Sequence, residues 1–324
     1  MLRVDGARQI RYNFGKHIAT RKKEALRVDN PAASNPVVSN PTVTWLFDTD
    51  AVRVCPEGRP YWYTSGKLGP FYINTHFLCG GEEASQGLLH DIEAEASRRP
   101  IGLPGVIGDK LHALAQADER YGRLIVKLVE QAKNAQSAEG IDAISGGERR
   151  DFFFSLPVAR AMRLPHVSIL KNQFTVCSDG KSNVAAATRE MLEGKRMLHV
   201  ADLVTEASSF ARAWIPAVER LGARIVSALA VVDRDQGGRE ALEKAGIPLR
   251  ALVQVDASLF DGAAAQGKLT AAQCGMARDF LASPEGFMSG FLRDHPNFLQ
   301  EQIALGGRAK ERAERCIAMG FDNL

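Results

Sequence analysis

The sequence predicts an α/β fold: a parallel sheet flanked by helices, with an N-terminal arm and hairpin and a C-terminal helical extension. Three observations carry this. Residues 141–145, 166–170, 197–200 and 225–232 (IDAIS, HVSIL, MLHV, IVSALAVV) are short and largely apolar, as buried strands are. Helical spacing accompanies them, as in Phe210, Trp214, Val218 and Leu221. From residue 269 onward, apolar faces recur between Ser-Pro, His-Pro and Gly-Gly breaks. Residues 269–281, 284–293, 296–305 and 308–319 therefore read as four helices.

Length and composition limit the function classes. The 324 residues, 45% of them hydrophobic, suffice for a sizeable core. A net charge of +3 gives no case for nucleic acid as a partner. The five cysteines are widely spaced with no C-x-x-C pair, so reduced thiols are expected rather than a zinc site or disulfide framework. No apolar run reaches the roughly 18–20 residues of a membrane span, and the first residues lack a signal-peptide core; a cytoplasmic location is expected.

Along the chain, residues 1–44 read as a basic segment and a Pro/Asn/Ser-rich linker. Residues 45–54 and 59–63 carry β-formers around Pro56, Glu57 and Gly58, which predicts a hairpin. Residues 64–74 (TSGKLGPFYIN) follow as another hairpin signal. Residues 78–117 read as an insertion with one helix near 82–97 flanked by loops, and residues 118–136 as an amphipathic helix. Gly180 and Ser182 suggest a mobile loop over residues 174–183. The expected divisions are residues 1–44, an α/β domain over 45–255, and a helical appendage over 256–324.

The chemistry concentrates in residues 196–209 (RMLHVADLVTEASS). A strand leads through small and hydroxyl residues into a helix. Backbone N–H groups at a helix start have no internal partner, and the helix end carries roughly half a positive charge, so this is an anion site in outline. The end of the 141–147 run is a second expected ligand position, because open α/β sheets bind ligands beyond the carboxyl ends of their strands. There Arg149 and Arg150 are either phosphate contacts or a solvated charge pair.

Residues 196–209 resemble the phosphoribosyl-diphosphate loop of type I phosphoribosyltransferases. Residues 64–74 and 223–252 resemble segments of the orotate phosphoribosyltransferases. The central loop differs from the family pattern: Ala201 stands at the first of two acids, Ala207 at the loop glycine, and Glu206 adds a negative charge. Thr64 stands where the family usually has a lysine, and the loop histidine expected after residue 171 is absent.

The resemblance implies a type I phosphoribosyltransferase-like fold and transfer of ribose 5-phosphate from phosphoribosyl diphosphate to a pyrimidine base. It implies Lys171 and Asp202 as catalytic residues. Lys171, Asp202, Thr205, Ala207, Ser208 and Ser209 would hold phosphoribosyl diphosphate, and Tyr72, Ile73, Thr205 and Arg234 the base. Mg²⁺ would be held through the diphosphate and waters, with Asp202 contacting it indirectly, and the protein would be a homodimer with shared sites. The altered loop leaves two alternatives open. One is a weakly active or inactive family member that binds a nucleotide or pyrimidine as regulator or scaffold. The other is a transferase or hydrolase acting on a different base or ribose phosphate.

Overall fold

The computed structural model describes residues 40–179 and 183–321. The basic segment before residue 40, and Lys181 in the expected mobile loop, lie outside the described residues.

Asn40 opens the first helix, α1 (Pro41–Asp48). Its side chain accepts the Thr42 N–H, and Pro41 fixes the first turn. This cap turns residues 45–48, expected in a hairpin strand, into helix, with Trp45 and Leu46 buried. The strands that follow are β1 (Val52–Val54), β2 (Tyr61–Trp62), β3 (Leu68–Gly69) and β4 (Phe71–Ile73). The expected pairing of residues 45–54 with 59–63 is also corrected: β1 pairs antiparallel with β4, and β2 with β3. Each partner lies one hairpin further along the chain, a register that turn residues alone do not specify.

Residues 78–117 hold two long helices rather than one, α2 (Gly81–Arg98) and α3 (Leu103–Ala117). The Pro/Gly run at 100–108 starts α3 instead of looping, because Pro104 occupies the first turn, where a missing N–H costs nothing. Leu103, Ile107 and Leu111 then form a buried stripe at i, i+4 and i+8. Asp118 caps α4 (Glu119–Glu139), the expected amphipathic helix.

The remaining elements build the sheet: β5 (Ala143–Gly147), α5 (Phe152–Met162), β6 (His166–Ile169), β7 (Thr175–Ser178), β8 (Val184–Ala186), α6 (Arg189–Leu192) and β9 (Arg196–Val204). A π turn at Phe210–Trp214 then runs into α7 (Ile215–Glu219), followed by β10 (Arg224–Asp233), α8 (Gly238–Lys244) and β11 (Leu249–Gln254). Among the described residues, seven strands form one sheet in the order β11-β10-β9-β5-β6-β7-β8. The four expected strands are its parallel centre, β11 adds a fifth parallel strand, and β7 and β8 are antiparallel. Within the loop expected over 174–183, residues 175–178 instead form β7, with Thr175, Val176 and Cys177 buried.

Side chains alternate across the sheet. From β9, Leu198 and Val200 join a core with α4, α5 and the Phe152–Phe154 cluster, whereas Met197 and Ala201 face Phe210, Trp214 and Val218 on the other side. After β11 come α9 (Ala257–Ala265), α10 (Ala271–Ala282), α11 (Pro284–Asp294), α12 (Phe298–Leu305) and α13 (Gly307–Ala318). The last four follow the helices expected from the sequence; α9, capped by Asp256, adds one. These helices pack on the early hairpins. Phe71 meets Phe260 and Phe280 at ring-centroid distances of 4.8 and 5.4 Å, and Trp62 stacks on Phe298 at 5.6 Å. All five cysteines are buried, and none forms a disulfide. Among the described residues no helix is long and apolar enough to cross a membrane.

Candidate active site

β9 and β10 run side by side to their ends, where Val204 stands opposite Asp233. The Arg234 N–H then donates to the Val204 carbonyl at 2.8 Å. This one hydrogen bond makes the chain leave both strands together, so the 205–209 loop and Arg234 share the carboxyl edge of the sheet. The loop borders a cleft of about 320 Å³, whose walls include Arg150, Asp151, Asp202, Thr205, Ser208 and Ser209. Ala207 is buried here with φ of 55°, the left-handed conformation that favours glycine. Across the cleft the strand must end in glycine: a Cβ on Gly147 would lie 2.3 Å from the Trp214 indole.

Asp151 organises the cleft floor. Oδ2 accepts the Gly147 N–H at 2.9 Å and lies 3.3 Å from His199 Nε2, while Oδ1 accepts the Asp202 N–H at 3.0 Å. The other His199 nitrogen lies 3.0 Å from Ser145 Oγ, a pairing set by the β5–β9 register, which puts Ser145 opposite His199. Thr75 donates its hydroxyl to Asp202 Oδ2 at 2.9 Å. Burial and the neighbouring Asp151 carboxylate push the Asp202 carboxyl up to about 7, against the pull of Arg150 and the Thr75 hydrogen bond.

A second cavity, of about 610 Å³, adjoins the first. Tyr72, Ile73 and Arg234 all line it, and Glu206 borders both cavities. The Tyr72 ring stands 4.8 Å from Tyr61 and 5.4 Å from Tyr63, and the Tyr63 hydroxyl is occupied by the Phe71 carbonyl at 2.8 Å. The Arg234 Nε is buried without a hydrogen-bond partner among the described residues, and burial lowers the guanidinium pKa. A partly buried cation without a partner is suited to an anion.

The structure thus brings together Asp202, Thr205, Ala207, Ser208 and Ser209 at one cavity and Tyr72, Ile73 and Arg234 at its neighbour. Thr205, expected at both, lines only the first. Lys171 lines neither. It is exposed beside a further cavity of about 880 Å³ with Arg149 and Arg212, and its N–H is held by Glu148 at 2.8 Å. Both arginines considered for phosphate line the cleft, and Arg149 is also paired to Glu93 of α2. Reasoning from sequence missed Asp151 and Thr75. Asp151 reads as a helix-capping residue, yet its carboxylate turns back to the sheet. Thr75 arrives from 127 residues away, and no local pattern announces it.

No family model matches the chain. Among curated proteins, the adenine phosphoribosyltransferase of Ruegeria pomeroyi is 32% identical over 150 residues, spanning 43% of this chain and 82% of that protein. The orotate phosphoribosyltransferase of Rhodopseudomonas palustris is 36% identical over 135 residues, spanning 39% of this chain and 68% of that protein. Among solved structures, the UMP synthase of Leishmania donovani is similar at 19% identity and a TM-score of 0.48, over 76% of this chain and 42% of that one.

Proposed function

Because the chain belongs to the type I phosphoribosyltransferase family, we propose that it transfers ribose 5-phosphate from phosphoribosyl diphosphate to a pyrimidine base of the orotate type. A ring-nitrogen lone pair forms the bond to C1′. The C1′–O bond breaks with its electron pair leaving on pyrophosphate, and the ring N–H proton passes to water. The observation that carries this reading is the adjacency of the two cavities, with the hydroxyl loop of one beside the unpartnered Arg234 of the other. A guanidinium fork suits a base bearing a carboxylate.

The loop N–H groups and the hydroxyls of Thr205, Ser208 and Ser209 would bind the 5′-phosphate. Asp202, oriented by Thr75 and Asp151, would hold the ribose hydroxyls. Tyr72 and Ile73 would pack on the base, and Lys171 and Arg149 would meet the diphosphate from the flanking cavity. Among the described residues no cluster of three or more metal-ligating side chains exists. Mg²⁺ carried by a diphosphate needs only one or two carboxylates and keeps several waters, and Asp202 on the cleft wall fits that role. When bound, the ion would neutralise charge developing on the leaving pyrophosphate.

Glu206 favours a second reading, a binding protein with weak turnover. Its carboxylate borders the phosphate cleft. Within ~4 Å of a phosphate it would cost roughly 1 kcal/mol per unit charge in water and about 4 at an effective dielectric of 20. Titration of phosphoribosyl diphosphate by calorimetry, with and without Mg²⁺, followed by pyrophosphate release with orotate or adenine, separates the readings. Turnover with orotate supports the first, and tight binding without turnover the second. We further propose a cytoplasmic homodimer. A monomer by analytical ultracentrifugation at micromolar concentration would refute sites shared between subunits.

A further inference from the structure

We propose that the last helix, α13, gives the base cavity a second anion-binding group, Arg312, and that the acceptor is a flat heteroaromatic ring carrying two acidic groups. This rests on the reading that Tyr72, Ile73 and Arg234 hold the acceptor.

The cavity wall carries three cationic side chains, Lys67, Arg234 and Arg312, against one carboxylate, Glu206. Lys67 is offset from outside, its Nζ lying 3.9 Å from Glu285. The two arginines are not. Arg234 Nε is buried without a partner, and among the described residues the half-buried Arg312 side chain has no hydrogen bond or ion pair. Glu206 makes no ion pair with either, and it also borders the phosphate cleft.

The position of Arg312 is fixed by a neighbour one turn along the helix. Arg315 Nη1 donates to the Thr64 carbonyl at 2.7 Å, tying α13 to the turn that leads into the cavity wall. At that turn Gly66 has φ of +89°, and a Cβ there would lie 2.7 Å from the Arg315 Cβ, so helix and turn are in direct contact. Ala313 and Cys316, on the adjoining face of the helix, are buried in one cluster with Trp62 and Leu68. Arg312 is therefore held by packing to face the cavity.

Two guanidinium groups lining one cavity repel each other and lack the anions that would satisfy their donors. A ring with one carboxylate answers Arg234 and leaves Arg312 uncompensated. A ring with two acidic groups answers both forks, and a cavity of about 610 Å³ has room for it.

The test uses the full chain and two rings that differ by one carboxylate, pyrimidine-4-carboxylate and pyrimidine-4,6-dicarboxylate, each titrated by calorimetry with and without saturating phosphoribosyl diphosphate. The native protein should bind the dicarboxylate at least roughly tenfold more tightly. Arg312→Gln should abolish that preference and leave the monocarboxylate within about twofold, whereas Arg234→Gln should weaken both ligands. Should Arg312→Gln fold poorly, as judged by melting, Arg312→Lys gives the same reading through partial loss of the preference. Equal affinity for the two rings, binding of neither, or a preference that survives substitution of Arg312 overturns the proposal. Failure to bind phosphoribosyl diphosphate is a separate result and refutes the transferase reading instead.

Discussion

Asp151 and Asp202 are joined by a hydrogen bond from the Asp202 N–H to Asp151 Oδ1 at 3.0 Å, so an acid at the start of α5 and an acid of β9 share one cleft floor. Their proximity raises the Asp202 carboxyl to about 7, with burial the larger cause. The native state therefore binds a proton that the unfolded chain releases near pH 4, and the contribution of Asp202 to stability falls as pH rises from about 4 to 7.

Asp202→Asn should accordingly raise the melting temperature of the ligand-free protein at pH 8, with the advantage fading toward pH 4. The same variant should lose at least roughly tenfold in affinity for phosphoribosyl diphosphate. Calorimetric melting across pH and titration of the ligand check the two halves. A variant that melts no higher than the native protein at pH 8 would show that Asp202 is not strained.

The loop offers a sharper test. The Ala207 backbone is already left-handed, at φ of 55°. Ala207→Gly therefore changes conformation little, and most of the gain in phosphoribosyl diphosphate affinity should come from Glu206→Thr. We expect at least a tenfold gain, about 1.4 kcal/mol, for Glu206→Thr with Ala207→Gly, and a smaller gain at high salt. A gain carried by Ala207→Gly alone would place the defect in the backbone rather than in the charge.

His76 is a buried imidazole with both ring nitrogens unpartnered among the described residues, packed edge-on to Phe77 and Phe153. Burial, reinforced by Arg150 and Arg149, lowers its pKa to about 3. A neutral histidine of this kind contributes stability fully above its unfolded pKa of about 6.5, and the contribution is lost as pH falls toward 3. His76→Phe should stabilise the protein by roughly 1–3 kcal/mol at pH 7, through removal of unsatisfied polar atoms, and by more at pH 5. Denaturant melts at both values measure this. An equal effect at the two pH values would mean that His76 does not titrate on unfolding.

The parallel centre of the sheet was legible because each buried strand is a compact apolar run, and the strand–loop–helix course of residues 196–219 because hydroxyl residues cluster between two apolar patterns. Partnerships across long separations were not. The β1–β4 pairing depends on how two hairpins nest, and the Thr75–Asp202 bond spans 127 residues. The α3 start was misread because proline and glycine mark both loops and first turns, and only the buried stripe of Leu103, Ile107 and Leu111 decides between them. Residues 175–178 read as loop because a four-residue antiparallel strand at a sheet edge has too little pattern to stand out.

The hydrogen bond from Arg315 to the Thr64 carbonyl joins residues 251 apart. The turn it holds is made 251 residues before its partner exists. Until α13 docks, Trp62 and Leu68 have only the part of their cover that Met288, Leu292 and Leu299 give, and the cavity beside Arg234 lacks Arg312 from its wall. The residues that line the cleft beside Asp202 end at Trp214, so they are all made about a hundred residues before Arg312 completes the neighbouring cavity. At ~5–20 residues per second this interval is several seconds or more, in which a nascent chain could offer the first cavity without the second.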